Sequence, residues 1–394
     1  MIKDVTPFPV PIKEYRARIE KCRRLMEERE LNALLVFSDW YWNPNARYLL
    51  GYTFQPIHGI VIIVIAPTGD PTLIIDRVWG LEGAKERVWI DDVRPFVFTG
   101  EYSKNVGFAK LAKQVLTEKG VPEGRIGVAG TWLMPAYLYE NIKKEITKAE
   151  FVDVTVPVEK LRMVKTPREI ELMRKVSRIA DAGIIAGMEA IEEGVTEYEV
   201  ALAQMRAMME AGADSINWVM VQSGPDSQYP VRFQGNFSFT SRKIRNGDMV
   251  HSDICAIYGG YYGDLARTKI VGDKSREKVD LAEACLKIEE ALIDTIRPGV
   301  KAVEIFKVAK NKAKELGYIR NWPPGFFWGH GTGLIHDEHP WFVPGDHTPL
   351  EANMVVNVHS GLAIPGEGGV KIEDIILLTE KGHEVLTKAP RRWW

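Results

Sequence analysis

The chain has 394 residues with a formal net charge of −2, long enough for two domains with ample core. That balance excludes a global electrostatic pull toward nucleic acid or an anionic membrane. Cys22, Cys255 and Cys285 show no Cys-x-x-Cys spacing, which fits a reducing cytoplasm. The first residues lack a basic stretch followed by an apolar core, and the longest apolar run, 60–66, is too short to span a bilayer, so a soluble, untargeted, cytoplasmic protein is expected.

In chain order, apolar spacing with dense charge predicts an amphipathic helix over about 14–30, followed by a buried strand over 33–37. The stretch from Asn43 to Gly51 breaks the pattern. Strands are predicted over 59–66 and 71–75, separated by the turn residues Pro67-Thr-Gly-Asp70. A helix over about 102–119 precedes a strand over 125–129, so the first 150 residues read as a compact α/β domain. The domain boundary falls between about 150 and 166, giving 1–155 and 156–394. Thr166, Pro167 and Glu169 have the composition of a capping box with proline at the first helical position. That predicts a long helix to about Ile191, and Thr196-Glu-Tyr-Glu199 starts a second, ending near Gly212. Strands follow over 218–222 and 249–257, helices over about 275–296 and 302–316, and further strands from 324 onward. Seven of the eight histidines lie after residue 250, which assigns the chemistry to the second half.

The stretch from His251 to Thr268 reads as two strands around a Tyr-Gly-Gly turn, each arm carrying one aspartate, Asp253 and Asp264. Side-chain alternation puts His251, Asp253 and Cys255 on one face, and pairing across the turn could bring Asp264 onto it. Buried carboxylates repel each other unless a cation or a shared proton neutralises them. The alternative is two surface acids flanking a loop. Glycines surround His330 in Gly329-His-Gly-Thr-Gly-Leu334, a segment that continues through His336, Asp337 and His339; His359 ends an apolar run, and Glu373 sits in a strand. Asp253, Asp264, His330, His359 and Glu373 would form a set suited to Mn²⁺, Co²⁺, Zn²⁺ or Fe²⁺. One or two such ions could activate a water and polarise a carbonyl.

With these motifs in view, the chain resembles the pita-bread hydrolases that include prolidase, aminopeptidase P, methionine aminopeptidase and creatinase. The likeness rests on Leu161-Arg-Met-Val-Lys-Thr-Pro-Arg-Glu-Ile170, Asn45-Ala-Arg-Tyr-Leu-Leu-Gly-Tyr52, Ser223-Gly-Pro225 and the ordered series Asp253, Asp264, His330, Glu373. It implies an α/β creatinase-like N-terminal domain plus an α+β pita-bread C-terminal domain, and a homodimer. It further implies two ions, one among Asp253, Asp264 and Glu373, the other among Asp264, His330, Glu373 and a further glutamate. The expected activity is metal-dependent hydrolysis of a C–N amide bond in a small substrate, by default a Xaa-Pro dipeptide. A cyclic or modified amino-acid amide, a metal-dependent lyase and a non-catalytic binding paralogue are the alternatives.

Three departures qualify the resemblance. His359 stands where the further glutamate is expected, and imidazole removes one negative charge and cannot chelate through two oxygens. It reads either as a ligand or as a neighbour donating to a carboxylate. Val231 stands where the resemblance implies a histidine, and Asp337 replaces another, with His336 and His339 beside it. The expected metal set is Asp253, Asp264, His330, His359 and Glu373. Catalytic roles are expected of His359, Glu373 and Asp337, and substrate contacts of Arg232, His336 and His339. His251 reads as a compensating ligand, a neighbour of the site or a strand-surface residue, and the histidines around 336–347 as exposed loop residues.

Overall fold

The computed structural model describes residues 8–40, 43–52, 59–76, 81–96, 104–121, 124–228, 237–322 and 327–393. The chain divides into two compact units, residues 1–162 and 163–394.

In the first unit the helices are α1 (Ile12–Glu28), α2 (Pro44–Leu50), α3 (Leu81–Lys85), α4 (Lys104–Glu118), α5 (Ala136–Glu145) and α6 (Thr155–Lys160). The strands are β1 (Ala33–Asp39), β2 (Ile60–Ile65), β3 (Thr72–Ile75), β4 (Val93–Pro95), β5 (Gly124–Ala129) and β6 (Ala149–Asp153), in the order β4-β3-β2-β1-β5-β6. Runs such as Ala33–Asp39 and Ile60–Ile65 are nearly all apolar because both faces of these inner strands are covered. Leu35, Ile62, Val64 and Ile126 pack with Phe108, Ala112 and Leu116 of α4 and Leu138 of α5. The predicted break after residue 43 is in fact α2. Proline at its first turn and the left-handed Gly51 at its end, φ 75°, bound a helix too short to show a period. The six residues of α6, just after the expected boundary at 155, pack on α1 and β5.

The second unit opens with α7 (Pro167–Ala190) and α8 (Glu197–Glu210). Both carry the capping box: Thr166 Oγ1 accepts from Glu169 N at 3.3 Å while Glu169 Oε2 accepts from Thr166 N at 2.9 Å, and Thr196 and Glu199 repeat the pattern. Then come β7 (Ser215–Ser223), β8 (Phe237–Ser238), β9 (Met249–Tyr258) and β10 (Tyr261–Ile270), in a sheet ordered β10-β9-β7-β8. The helices α9 (Arg276–Thr295) and α10 (Ala302–Glu315) follow. A second sheet, ordered β12-β11-β13-β14-β15, contains β11 (Gly329–Gly331), β12 (Glu338–Trp341), β13 (Val355–Ile364), β14 (Gly368–Thr379) and β15 (Gly382–Val385).

Each sheet is backed by helices on one side, which decides where the polar residues point. Gly263 of β10 lies so close to α7 that a Cβ there would fall 2.8 Å from Val176 O, and Ile254 of β9 approaches Gly183 of α7. Asp264 and Asp253, one residue away in strands of period two, therefore face the other side. In the second sheet Ser360 donates to Cys285 O of α9 at 2.9 Å, so His359 faces away from that helix. The two sheets meet along β10 and β14. There Thr268 Oγ1 donates to Lys371 O at 3.0 Å and accepts from Lys371 N at 2.9 Å. The buried Arg267 donates to Glu373 O at 2.6 Å, to Asp374 Oδ1 at 2.8 Å and to the carbonyls of Ala389 and Pro390.

The Thr166 cap also reaches the site-bearing hairpin, since Tyr261 Oη donates to Glu169 Oε1 at 2.8 Å. Thr166→Ala is expected to lower unfolding free energy by about 1 kcal/mol in urea denaturation. An unchanged midpoint would mean that packing alone sets the start of α7.

Candidate metal centre

The first aspartates are placed by the β9–β10 hairpin. Gly259 and Gly260 take φ values of 59° and 81°, as a two-residue hairpin turn requires. The register sets Asp264 opposite Cys255 and Asp253 opposite Ala266, so the two acids are diagonal neighbours on one face. The reading of surface acids beside a loop is thereby replaced: both are buried, Asp253 at 1% and Asp264 at 3% exposure. In the second sheet His359 and Glu373 pair directly across β13 and β14. His330 of β11 lies opposite Asn357, and its ring centroid is 5.6 Å from that of His359. Gly331 follows His330 because a Cβ there would lie 2.2 Å from the His339 carbonyl oxygen.

Three groupings bring potential ligand atoms within 4.8 Å of one another: Asp253, Asp264 and Glu373; Asp264, His330 and Asp337; and His330, His359 and Glu373. All five expected metal-binding residues are in this cluster, and Asp337 joins it. His330 Nδ1 lies 3.0 Å from Gly331 O, which can only accept, so the Nδ1 proton is used there and Nε2 faces the carboxylates. Nε2 is 3.1 Å from Asp337 Oδ1 and 3.8 Å from Glu373 Oε1. Asp264 Oδ1 is buried and has no hydrogen-bond partner among the described residues. Lone pairs converging on one point, with an orphaned carboxylate oxygen among them, fit a divalent cation of the borderline class.

Sequence reasoning missed four groups that hold this arrangement. Trp218 Nε1 donates to Asp253 Oδ1 at 2.9 Å, and Asn357 Nδ2 donates to Glu373 Oε1 at 2.8 Å and to Asp264 O at 3.1 Å. Arg267 grips the backbone behind Glu373. The fourth, Lys371, places its ammonium 2.5 Å from Asp253 Oδ2 and 2.7 Å from Glu373 Oε2. Lysine 371 and glutamate 373 share a strand face, so period-two alternation alone could have pointed to it.

The electrostatics follow from burial and crowding. Burial first, then Glu373 and Asp253, push the Asp264 carboxyl well above the usual carboxylate range. Burial would depress Lys371, but Asp253, Glu373 and Asp264 outweigh it and hold the ammonium well above its ordinary value. Burial, then Lys371 and His330, take His359 well below the usual imidazole value, leaving the neutral form that can ligate a metal. Asp337 would be raised by burial, yet His330, His336 and His359 bring it below the ordinary range.

The other expected residues divide. His336 is half-buried, its ring 4.7 Å from that of Trp218 and its Nε2 3.6 Å from Asp337 Oδ2, so it borders the cluster instead of lying in an open loop. His339 pairs with Asp346 at 3.8 Å and joins none of the ligand groupings. His347 is exposed. His251 is fully buried, 3.9 Å from Asp253 Oδ2, and burial takes its pKa down to about 4, so it is a neighbour of the site and not a strand-surface residue. Arg232 and Val231 lie outside the described residues. Phe327 sets its ring edge-on to His359 at 5.1 Å, whereas Trp328 is fully buried in the core.

A buried cradle of potential metal ligands lies between two helix-backed sheets, and a separate α/β unit precedes it in the chain. Residues 171–380 match the model of Metallopeptidase family M24, and residues 18–164 match the Creatinase/Prolidase N-terminal domain. The chain belongs to metallopeptidase family M24, with a creatinase-like N-terminal domain and a pita-bread C-terminal domain. It is 30% identical over 375 residues to a Xaa-Pro dipeptidase of Pyrococcus horikoshii, covering 95% of this chain and 97% of that one. Its structure is similar to a Xaa-Pro dipeptidase from Bacillus anthracis at 28% identity, TM-score 0.82, covering 96% and 99% of the two chains. It is also similar to an X-Pro aminopeptidase from Thermotoga maritima at 25% identity, TM-score 0.82, covering 95% and 99%. Among the described residues no helix is long and apolar enough to cross a membrane.

Removing the ammonium leaves Asp253 and Glu373 buried without their counter-charge. Lys371→Met is expected to cost about 3–5 kcal/mol in urea denaturation of chelator-treated protein, and Lys371→Arg distinctly less. Equal midpoints for Lys371→Met and the unaltered chain would remove the ammonium from the balance of the site.

Proposed function

We propose that the chain is a metal-dependent peptidase that cleaves the amide bond of a Xaa-Pro dipeptide. The observation that carries this reading is the set of overlapping buried groupings that link Asp253, Asp264, His330 and Glu373 between the two sheets. These residues would hold one or two divalent ions, which supply Lewis acidity to the scissile carbonyl and lower the pKa of water. Asn357 and Trp218 fix one oxygen each of Glu373 and Asp253, so those carboxylates keep their orientation through a reaction. His359, neutral and directly across from Glu373, is the base or the additional donor at the centre. His336, against Trp218 and Tyr262, is the proposed substrate contact on the Asp337 side. The relatives described above, Xaa-Pro dipeptidases and an X-Pro aminopeptidase, support a proline-directed substrate.

The imidazole at 359 favours a second reading, an amide outside the Xaa-Pro class, because it changes the charge directly opposite Glu373. Chelator-treated protein resupplied with Mn²⁺, Co²⁺ or Zn²⁺ and offered Xaa-Pro dipeptides is expected to release proline. Glu373→Gln should lower kcat/KM by at least about 100-fold, beyond the loss typical of a group that merely orients a ligand. Hydrolysis of cyclic or modified amides with no action on the dipeptides would select the second reading. Metal-independent turnover would refute both.

A further inference from the structure

Asp337 comes from neither hairpin that carries the other acids, but from the turn between β11 and β12. That turn is pinned at both ends. Tyr262 N donates to Gly333 O at 2.9 Å, and the next residue, Glu338, forms a buried ion pair with Lys165 at 2.6 Å. Asp337 is thus presented to the cluster by rigid backbone. Its Oδ1 lies 3.1 Å from His330 Nε2, the nitrogen left with a lone pair once Nδ1 donates to Gly331 O. With Nε2 unprotonated, two lone pairs at that distance repel and call for a cation between them. Metal–ligand bonds of roughly 2.0–2.2 Å set neighbouring donors of one ion roughly 3 Å apart, which matches. Asp264 is the third member of the same grouping, and its Oδ1 is buried with no hydrogen-bond partner among the described residues. Lys371 is ion-paired to Asp253 and Glu373, the two carboxylates outside this grouping.

We propose that Asp337 is a metal ligand, completing with Asp264 and His330 a divalent-cation position. The assignment deepens the proposed function, on which it rests, and places a carboxylate of the β11–β12 turn in direct contact with the ion. His336, 3.6 Å from Asp337 Oδ2, then orients the second oxygen of that carboxylate.

Metal content decides the matter without any assay of turnover. Mn²⁺ and Zn²⁺ binding to the chelator-treated full chain would be measured by isothermal titration calorimetry and elemental analysis, with circular dichroism as the fold control. Asp337→Asn is expected to lose one equivalent of ion or to weaken its binding by at least about tenfold. Asp337→His, which returns a neutral nitrogen donor to the same turn, should recover part of that affinity. Binding by Asp337→Asn equal to that of the unaltered chain would overturn the assignment while leaving the proposed function intact. Equal losses in the two variants would make Asp337 structural and likewise overturn it. No metal binding by the unaltered chain would refute this assignment and the proposed function together.

Discussion

The constraint on which the second unit depends is the burial of Asp253, Asp264 and Glu373 within reach of one another. Carboxylates removed from water repel strongly and tend to take up protons instead of staying ionised, and the position of the Asp264 carboxyl above its ordinary range expresses that strain. The surroundings answer it with fixed donors. Trp218, Asn357 and Lys371 each approach a different oxygen of Asp253 or Glu373. What remains unanswered among the described residues is Asp264 Oδ1, whose carboxylate is grouped with His330 and Asp337, and that unmet acceptor is what a divalent cation would satisfy.

Holding such a cluster requires a frame that cannot relax. Helices cover the outer side of each sheet, so the acids have no route to solvent by turning over, and the seam between β10 and β14 is locked by Thr268 and Arg267. Arg267 is fully buried and meets backbone carbonyls as well as Asp374, so it fixes the course of β14 through Glu373 without adding a charge to the ligand side. The same strand carries Lys371 and Glu373 on one face, which makes the ammonium as firmly placed as the carboxylate it neutralises. The centre is thus asymmetric: one side has a cation built into the chain, the other has His330 and Asp337.

That asymmetry gives the departures at 359 and 337 a common physical sense. A neutral imidazole directly across from Glu373 lowers the negative charge on one wall, and a carboxylate beside His330 restores it on another. The charge available to a cation is redistributed across the cradle more than it is lost. For a substrate this changes which side of the site attracts a positive group, the physical basis on which specificity within the family can diverge.

Much of this was legible in the residues themselves. The hairpin at Gly259 and Gly260, the capping box at Thr166 and the helix start at Thr196 are local features, set by backbone sterics and period, and they stand where the sequence places them; the cross-turn pairing that was open in the sequence puts Asp253 and Asp264 on one face. The helix at Pro44–Leu50 was hidden because a mostly buried helix of about two turns shows no amphipathic period. The sequence by itself determined which residues could be donors and that the strands would carry them on a single face, since side-chain direction along a strand is a matter of chain geometry. Only the tertiary structure decided which donors meet. The pairing of β13 with β14 set His359 against Glu373, the seam with β10 brought Asp264 to them, and the turn after β11 delivered Asp337 while His339 went to Asp346. Contacts such as that between Asp253 and Lys371, 118 positions apart, depend on sheet register and packing, which no local pattern encodes.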